Sequence, residues 1–283
     1  MPMKYVINGV RYHVDTWGTG FPLLLLHGFT GNSEGWKEFA PFWKDHSKTI
    51  ALDIIGHGDS ESPPDIGHYQ IEESAAVINS LLEKMGIGKI DVLGYSMGGR
   101  LALTFAVKYP EKVRMLILES ASPGLRTEKE RHDRRIQDTK LSKRIRQEGI
   151  NNFIDYWEDI PLFQSQKSLP EKIRTRIRSE RLANSIDGLA NSLNGMGTGA
   201  QPSWWDELVQ LEMPVLLITG ELDQKFCRIA EEMSKILPNV QWKSIEDAGH
   251  AIHVEKPELF GTIVSGFLSQ TEEINTKAAK IEE

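Results

Sequence analysis

The 283 residues contain one cysteine, Cys227. A lone thiol cannot close an internal disulfide or build a thiolate metal cluster. Long apolar runs are missing as well. The longest, "FPLLLL" at 21–26, falls far short of the roughly 18 residues that mark a membrane span. The opening "MPMKYVINGV" lacks the apolar stretch of a secretory signal. A basic excess is also lacking: 33 Lys and Arg stand against 40 Asp and Glu, a net charge of −7. Nucleic-acid binding needs a basic face, so that class is disfavoured. The histidines have no metal-ligand spacing and no glycine-rich phosphate loop is present, so neither metal nor organic cofactor is expected. These absences leave a soluble, cytoplasmic protein acting on a small molecule. They leave its oligomeric state open.

The composition itself is that of a globular chain, 40% hydrophobic and 26% charged. Residues 3–16 alternate apolar and polar around Asn8-Gly9, the pattern of a β-hairpin with a tight turn. "PLLLLHG" (22–28) is continuously apolar, as in a strand buried on both faces. "KTIALDIIGHGDS" (48–60), "KIDVLGYS" (89–96), "VRMLILESA" (113–121) and "PVLLITGELD" (214–223) repeat that form. Helix-period stretches such as "IEESAAVINSLLEKMG" (71–86) lie between them. Strands alternating with helices predict an α/β fold with a mostly parallel sheet and helices on both faces.

One segment departs from this alternation. Residues 122–205 show no strand pattern and read as helices broken near Gly149, Pro161 and Pro170. They are expected to form a helical lid between core segments 1–121 and 206–270, with 271–283 as a polar tail. The charge differs too. Residues 121–200 hold 15 Lys and Arg against 11 Asp and Glu, while the remainder holds 18 against 29. Ten of the 14 arginines fall in this stretch.

The chemistry centres on "GYSMGGR" (94–100). G-x-S-x-G between a buried strand and a small-residue helix is the setting of a nucleophile elbow, with Ser96 at its tip. A serine hydroxyl needs a base, and the base an orienting acid. Asp223 in "GELD" and His250 in "AGH" supply the chain order serine, acid, histidine. His253 competes as base, and Glu119 and Glu221 compete as acids. An oxyanion hole needs two amides. Met97 follows the serine, and Phe29 lies in "HGFTG" after an early strand. His27, Asp53, Gly56 and Gly58 are expected to shape loops. Arg100 is an anomaly, because the helix dipole disfavours a cation in a first turn.

"LHGFTG", "LDIIGHGDS", "GYSMGGR", "GELD" and "AGH" together resemble the α/β-hydrolase superfamily over residues 20–270. "GYSMGGR", "ESASPGL", "YWEDIPLF", "IRSERLANS", "GMGTGAQPSWW" and "GELDQKF" resemble, more narrowly, the 2-succinyl-6-hydroxy-2,4-cyclohexadiene-1-carboxylate synthases of menaquinone biosynthesis. That resemblance implies a carbon–oxygen lyase. Its Ser-His-Asp triad abstracts a proton and drives a 2,5-elimination of pyruvate from a cyclohexene tricarboxylate. It assigns catalysis to Ser96, Asp223 and His250, and carboxylate binding to Arg100, Arg134 and Arg178, with Arg131 and Arg135 competing for the place of Arg134. It sets Tyr95 and Trp157 at the pocket. Ser122 and Pro123 receive no role. Arginine forks suit a polycarboxylate, since a guanidinium binds a carboxylate through two parallel bonds. An esterase or C–C bond hydrolase of the same fold is the alternative, and a non-catalytic ligand-binding protein is a third reading.

Overall fold

A computed structural model describes residues 2–279 of the chain, with side chains through residue 270. β1 (Pro2–Ile7) and β2 (Val10–Trp17) form the expected antiparallel hairpin. Asn8 and Gly9 turn it with φ of 51° and 79°, the pair of positive values that matches strand twist. β3 (Phe21–Leu26), β4 (Ser47–Leu52), β5 (Ile90–Tyr95), β6 (Val113–Glu119), β7 (Val215–Gly220) and β8 (Val240–Ile245) complete an eight-stranded sheet. Its order is β1-β2-β4-β3-β5-β6-β7-β8. The first two pairings are antiparallel and every later one is parallel.

The "LLLL" run explains why β3 sits inside. Leu24 and Leu26 enter one apolar core and Leu23 and Leu25 the other, all four fully buried. Leu116 and Ile117 on β6, and Leu217 and Ile218 on β7, divide in the same way. Side chains on a strand alternate faces, so a strand covered on both sides must be apolar at every position.

Helices supply the covers. α1 (Ala40–Trp43) carries Trp43 into the second core. α2 (Ile71–Lys84) and α3 (Met97–Lys108) cover the first face with Ile78, Leu81, Leu101 and Phe105. Between β6 and β7 the chain leaves the sheet for α4 (Glu128–Asp159), α5 (Glu171–Leu182) and α6 (Ile186–Met196). A reciprocal Thr127–Glu130 capping box opens α4. Gly149 breaks its regularity at φ 78°, Pro161 begins a short 3-10 turn and Pro170 precedes α5, so the expected interruptions are present. A separate small core, including Phe153, Ile154, Leu189 and Leu193, holds these helices together. α7 (Gln224–Ser234) and α8 (Ile252–Glu255) follow.

The last helix runs past residue 270. α9 (Pro257–Ala279) continues through 271–279, where no glycine or proline interrupts it. Residues 280–283 of the polar tail lie outside the described residues. Among the described residues, no helix is long and apolar enough to cross a membrane.

Candidate active site

Ser96 stands at the junction of β5 and α3 with φ 51° and ψ −105°. A non-glycine residue at positive φ is strained, and such strain gathers at functional turns. The neighbouring strand and helix must approach closely for this turn to form. A Cβ built on Gly98 would sit 2.2 Å from Leu26 O and 2.5 Å from His27 O, so glycine is required there. The Ser96 amide donates to Glu119 O on the adjacent strand at 2.9 Å, which pins the turn.

His250 and Asp223 arrive from the ends of two other strands. Asp223 follows β7 and caps α7, its Oδ1 accepting from Phe226 N at 3.3 Å. His250 lies in the loop after β8 and is 1% exposed. Its Nδ1 is 2.6 Å from Asp223 Oδ2, and its Nε2 is 2.9 Å from Ser96 Oγ. An ionised carboxylate only accepts, so Nδ1 carries the proton. Nε2 is then free to accept from the serine hydroxyl. The three residues expected from chain order thus form one hydrogen-bonded chain.

The rival acids and base are elsewhere. His253 donates through both its amide and Nδ1 to Glu119, at 2.9 Å, and its ring packs 4.9 Å from Trp36. Glu119 is fully buried in that pairing. The Glu221 side chain is solvent-exposed.

The loop carrying Phe29 is held by His27. Its Nε2 accepts from Ile54 N at 3.0 Å, so its Nδ1 carries the proton and donates to Gly28 O at 2.8 Å. Both nitrogens are used by the neutral ring, and burial pushes its pKa down to about 4. Asp53 accepts from Ser33 N at 2.6 Å and Asp59 N at 2.8 Å, tying this loop to the next. Met97 is the first residue of α3, where an amide has no acceptor inside its own helix.

A cavity of about 150 Å³ opens at Ser96, lined among others by His250, Arg100, Arg134, Trp157 and Lys225. Arg100 lines it from the first turn of α3 and is half-buried. It donates to Met196 O at 2.7 Å and Gln201 Oε1 at 2.8 Å. Both acceptors are neutral, and among the described residues no carboxylate pairs with it. Burial, and then the charge of Arg134, draw its pKa down to about 10, so it remains a cation at neutral pH. Arg134 also lines the cavity and makes one ion pair, Nε to Asp138 Oδ1 at 2.8 Å. Arg131 and Arg135 turn elsewhere. Arg131 pairs with Glu128 and donates to Leu125 O, and Arg135 pairs with Glu128 and donates to Gly199 O.

Arg178 is not brought to this cavity. Acidic residues of α4 capture it, Asp155 at 2.6 Å and Glu158 at 2.7 Å, in an outer groove between α4 and α5. One turn further on, Arg181 turns inward and is buried, its guanidinium 4.9 Å over the Phe163 ring and bonded to Gln166 Oε1 at 3.1 Å. It lines a neighbouring cavity that Tyr95 separates from Ser96. An arginine-rich helix offers several candidates, and only the packing of α5 on α4 selects among them.

Tyr95 and Trp157 line the cavity. Trp157 packs edge-on to Phe29 at 5.3 Å and stacks on Phe153 at 5.7 Å. Its buried indole N–H has no acceptor among the described residues. Tyr95 is wedged between His250 and His253, with ring centroids 5.4 and 4.6 Å away. Lys225 sits in "GELDQKF" without an assigned role. Like Arg100, it is a cation in the first turn of a helix.

Comparison with known proteins gives a consistent picture. Residues 22–257 match the family model of the alpha/beta hydrolase fold. A protein of Bacillus subtilis (strain 168), provisionally named 2-succinyl-6-hydroxy-2,4-cyclohexadiene-1-carboxylate synthase, is 46% identical over 266 residues. That covers 93% of this chain and 97% of the relative. The protein of that name from Enterobacter sp. (strain 638) is 32% identical, over 84% of this chain and 88% of its own. The solved structure of MenH from S. aureus superposes with a TM-score of 0.88 at 35% identity, covering 92% of this chain and 98% of that one.

Proposed function

The chain belongs to the α/β-hydrolase fold family and, within it, to the 2-succinyl-6-hydroxy-2,4-cyclohexadiene-1-carboxylate synthases, and from that membership we propose its reaction. It converts 2-succinyl-5-enolpyruvyl-6-hydroxy-3-cyclohexene-1-carboxylate to 2-succinyl-6-hydroxy-2,4-cyclohexadiene-1-carboxylate and pyruvate, as a lyase of menaquinone biosynthesis in the cytoplasm. Residues 1–121 and 206–270 act as the catalytic core and 122–205 as a lid over it.

His250, oriented by Asp223, takes the Ser96 hydroxyl proton, and the serine oxygen removes the ring proton beside the succinyl carbonyl. The electron pair left on carbon delocalises onto that carbonyl oxygen, where the Phe29 and Met97 amides stabilise the charge. Electrons returning through the ring form the second double bond and break the carbon–oxygen bond to the enolpyruvyl group. The departing enolate gains a proton and becomes pyruvate, so no water is consumed. Arg100 and Arg134 hold carboxylates of the substrate. Tyr95 and Trp157 shape the pocket around the ring.

The observation that carries this reading is Arg100, a half-buried guanidinium without a carboxylate partner in the cavity that holds Ser96. Burying an unpaired charge is costly, and an anionic ligand relieves that cost. An uncharged ester would leave it unrelieved. The test is a coupled assay of the purified protein. Pyruvate release from the cyclohexene precursor is expected, with slow hydrolysis of p-nitrophenyl esters. Efficient ester cleavage with no pyruvate release would replace the lyase by an esterase.

A further inference from the structure

Lys225 lies in the first turn of α7, two residues after Asp223. It lines the Ser96 cavity together with Arg100 and Arg134. No ion pair or hydrogen bond engages its ammonium among the described residues. Its Nζ lies 5.3 Å from the centroid of the Phe226 ring. Phe226 itself packs 4.7 Å from the His250 ring, so Lys225 stands on the His250 side of the cavity. Arg100 lies on the side of Met196 and Gln201.

Two helix N-termini, those of α3 and α7, therefore each present a cation at this cavity. A helix dipole disfavours both placements. Lys225 is exposed, and among the described residues no carboxylate pairs with it, so its ammonium is free to meet an anion at the cavity. Partial desolvation, and then the charge of Arg134, hold that ammonium below the usual lysine range, which Asp223 only partly offsets. Trp157 lines the same cavity, and its buried indole N–H also lacks an acceptor among the described residues. Cations held near one another and an unused donor describe a site completed by an anion.

We propose that Lys225 is a substrate-binding residue that takes one carboxylate of the substrate, while Arg100 and Arg134 take the other two. This rests on the lyase reading, whose substrate has three carboxylates: one on the ring, one ending the succinyl arm and one on the enolpyruvyl group. Three cations in one small cavity match that count. A point-charge ammonium on a flexible stem suits a carboxylate reached end-on, and the arginines suit those held through two bonds.

The test compares wild type with Lys225→Gln, Lys225→Met and Lys225→Arg, measuring pyruvate release against the concentration of the cyclohexene precursor. A lost charge-assisted contact is expected to raise KM about 10- to 100-fold with a smaller change in kcat. Lys225→Arg should recover most of that loss, and thermal unfolding should be nearly unchanged in all three. Wild-type turnover together with a KM within threefold of wild type in both Lys225→Gln and Lys225→Met overturns the assignment and leaves the lyase reading standing. A raised KM that Lys225→Arg does not lower, or that appears with a large fall in melting temperature, also overturns it, by showing a structural role. Absence of pyruvate from wild type defeats the lyase reading first.

Discussion

Replacing Arg100 with methionine removes the guanidinium while keeping most of the apolar stem. In the free protein two opposed effects follow. The hydrogen bonds to Met196 O and Gln201 Oε1 are lost, each worth about 1 kcal/mol net. Against this, a half-buried cation held down to about 10 by desolvation and then Arg134 is removed. At about 1.4 kcal/mol per pKa unit, relief of that cost is worth roughly 3 kcal/mol. The terms nearly cancel, so the variant should stay within about 1.5 kcal/mol of wild-type stability in urea unfolding. Turnover has no such compensation. Losing a charge-assisted bond to a carboxylate costs about 1.5–3 kcal/mol, a fall of roughly 10- to 150-fold in kcat/KM. Pyruvate release followed by lactate dehydrogenase and unfolding on the same preparation decide it together. A kcat/KM within threefold of wild type would refute the reasoning. So would a stability loss above about 3 kcal/mol with unchanged turnover per folded molecule, since Arg100 would then be a strut between α3 and the Met196 segment.

Ser96→Ala should lower pyruvate release by about a thousandfold or more with the melting temperature nearly unchanged; residual turnover above a few per cent would remove the serine from proton transfer. Arg178→Ala should change kcat/KM less than threefold, because its guanidinium is engaged by Asp155 and Glu158 in the outer groove; a tenfold fall would bring it back to the substrate. His27 gives a pH signature. Its folded pKa of about 4 lies below the unfolded value of about 6.5, so the unfolded chain binds the proton first. Stability from this group is present above about pH 6.5 and is lost as pH falls toward 4, by roughly 3 kcal/mol at most. Urea unfolding of wild type and His27→Asn across that range should show a shallower slope in the variant; equal slopes would count against the neutral, doubly bonded ring.

Residue order decided whatever depends on near neighbours. "LLLL" required a strand covered on both faces, Asn8-Gly9 required a tight hairpin, and "GYSMG" required an elbow between strand and helix. Each follows from local sterics or from the alternation of side chains on a strand. The order Ser96, Asp223, His250 was readable for a related reason: each ends or follows a strand whose direction is set by parallel pairing, so their meeting at one end of the sheet follows from topology.

Helix registers and long-range partners were decided only in three dimensions. The sequence places Arg174, Arg176, Arg178 and Arg181 close together, and the family resemblance singled out Arg178. Packing against α4 gives Arg178 to Asp155 and Glu158 and buries Arg181 beside Phe163. His253 and Glu119 lie 134 residues apart, and their pairing removes both from competition at Ser96. Lys225 lies in "GELDQKF", which assigned it no role, and its place beside Arg100 and Arg134 came from the meeting of α7, α3 and α4 at one cavity. The turn that carries Ser96 is a property of five consecutive residues. The charge that surrounds it is a property of which helix faces pack inward, and that depends on contacts between segments far apart in the chain.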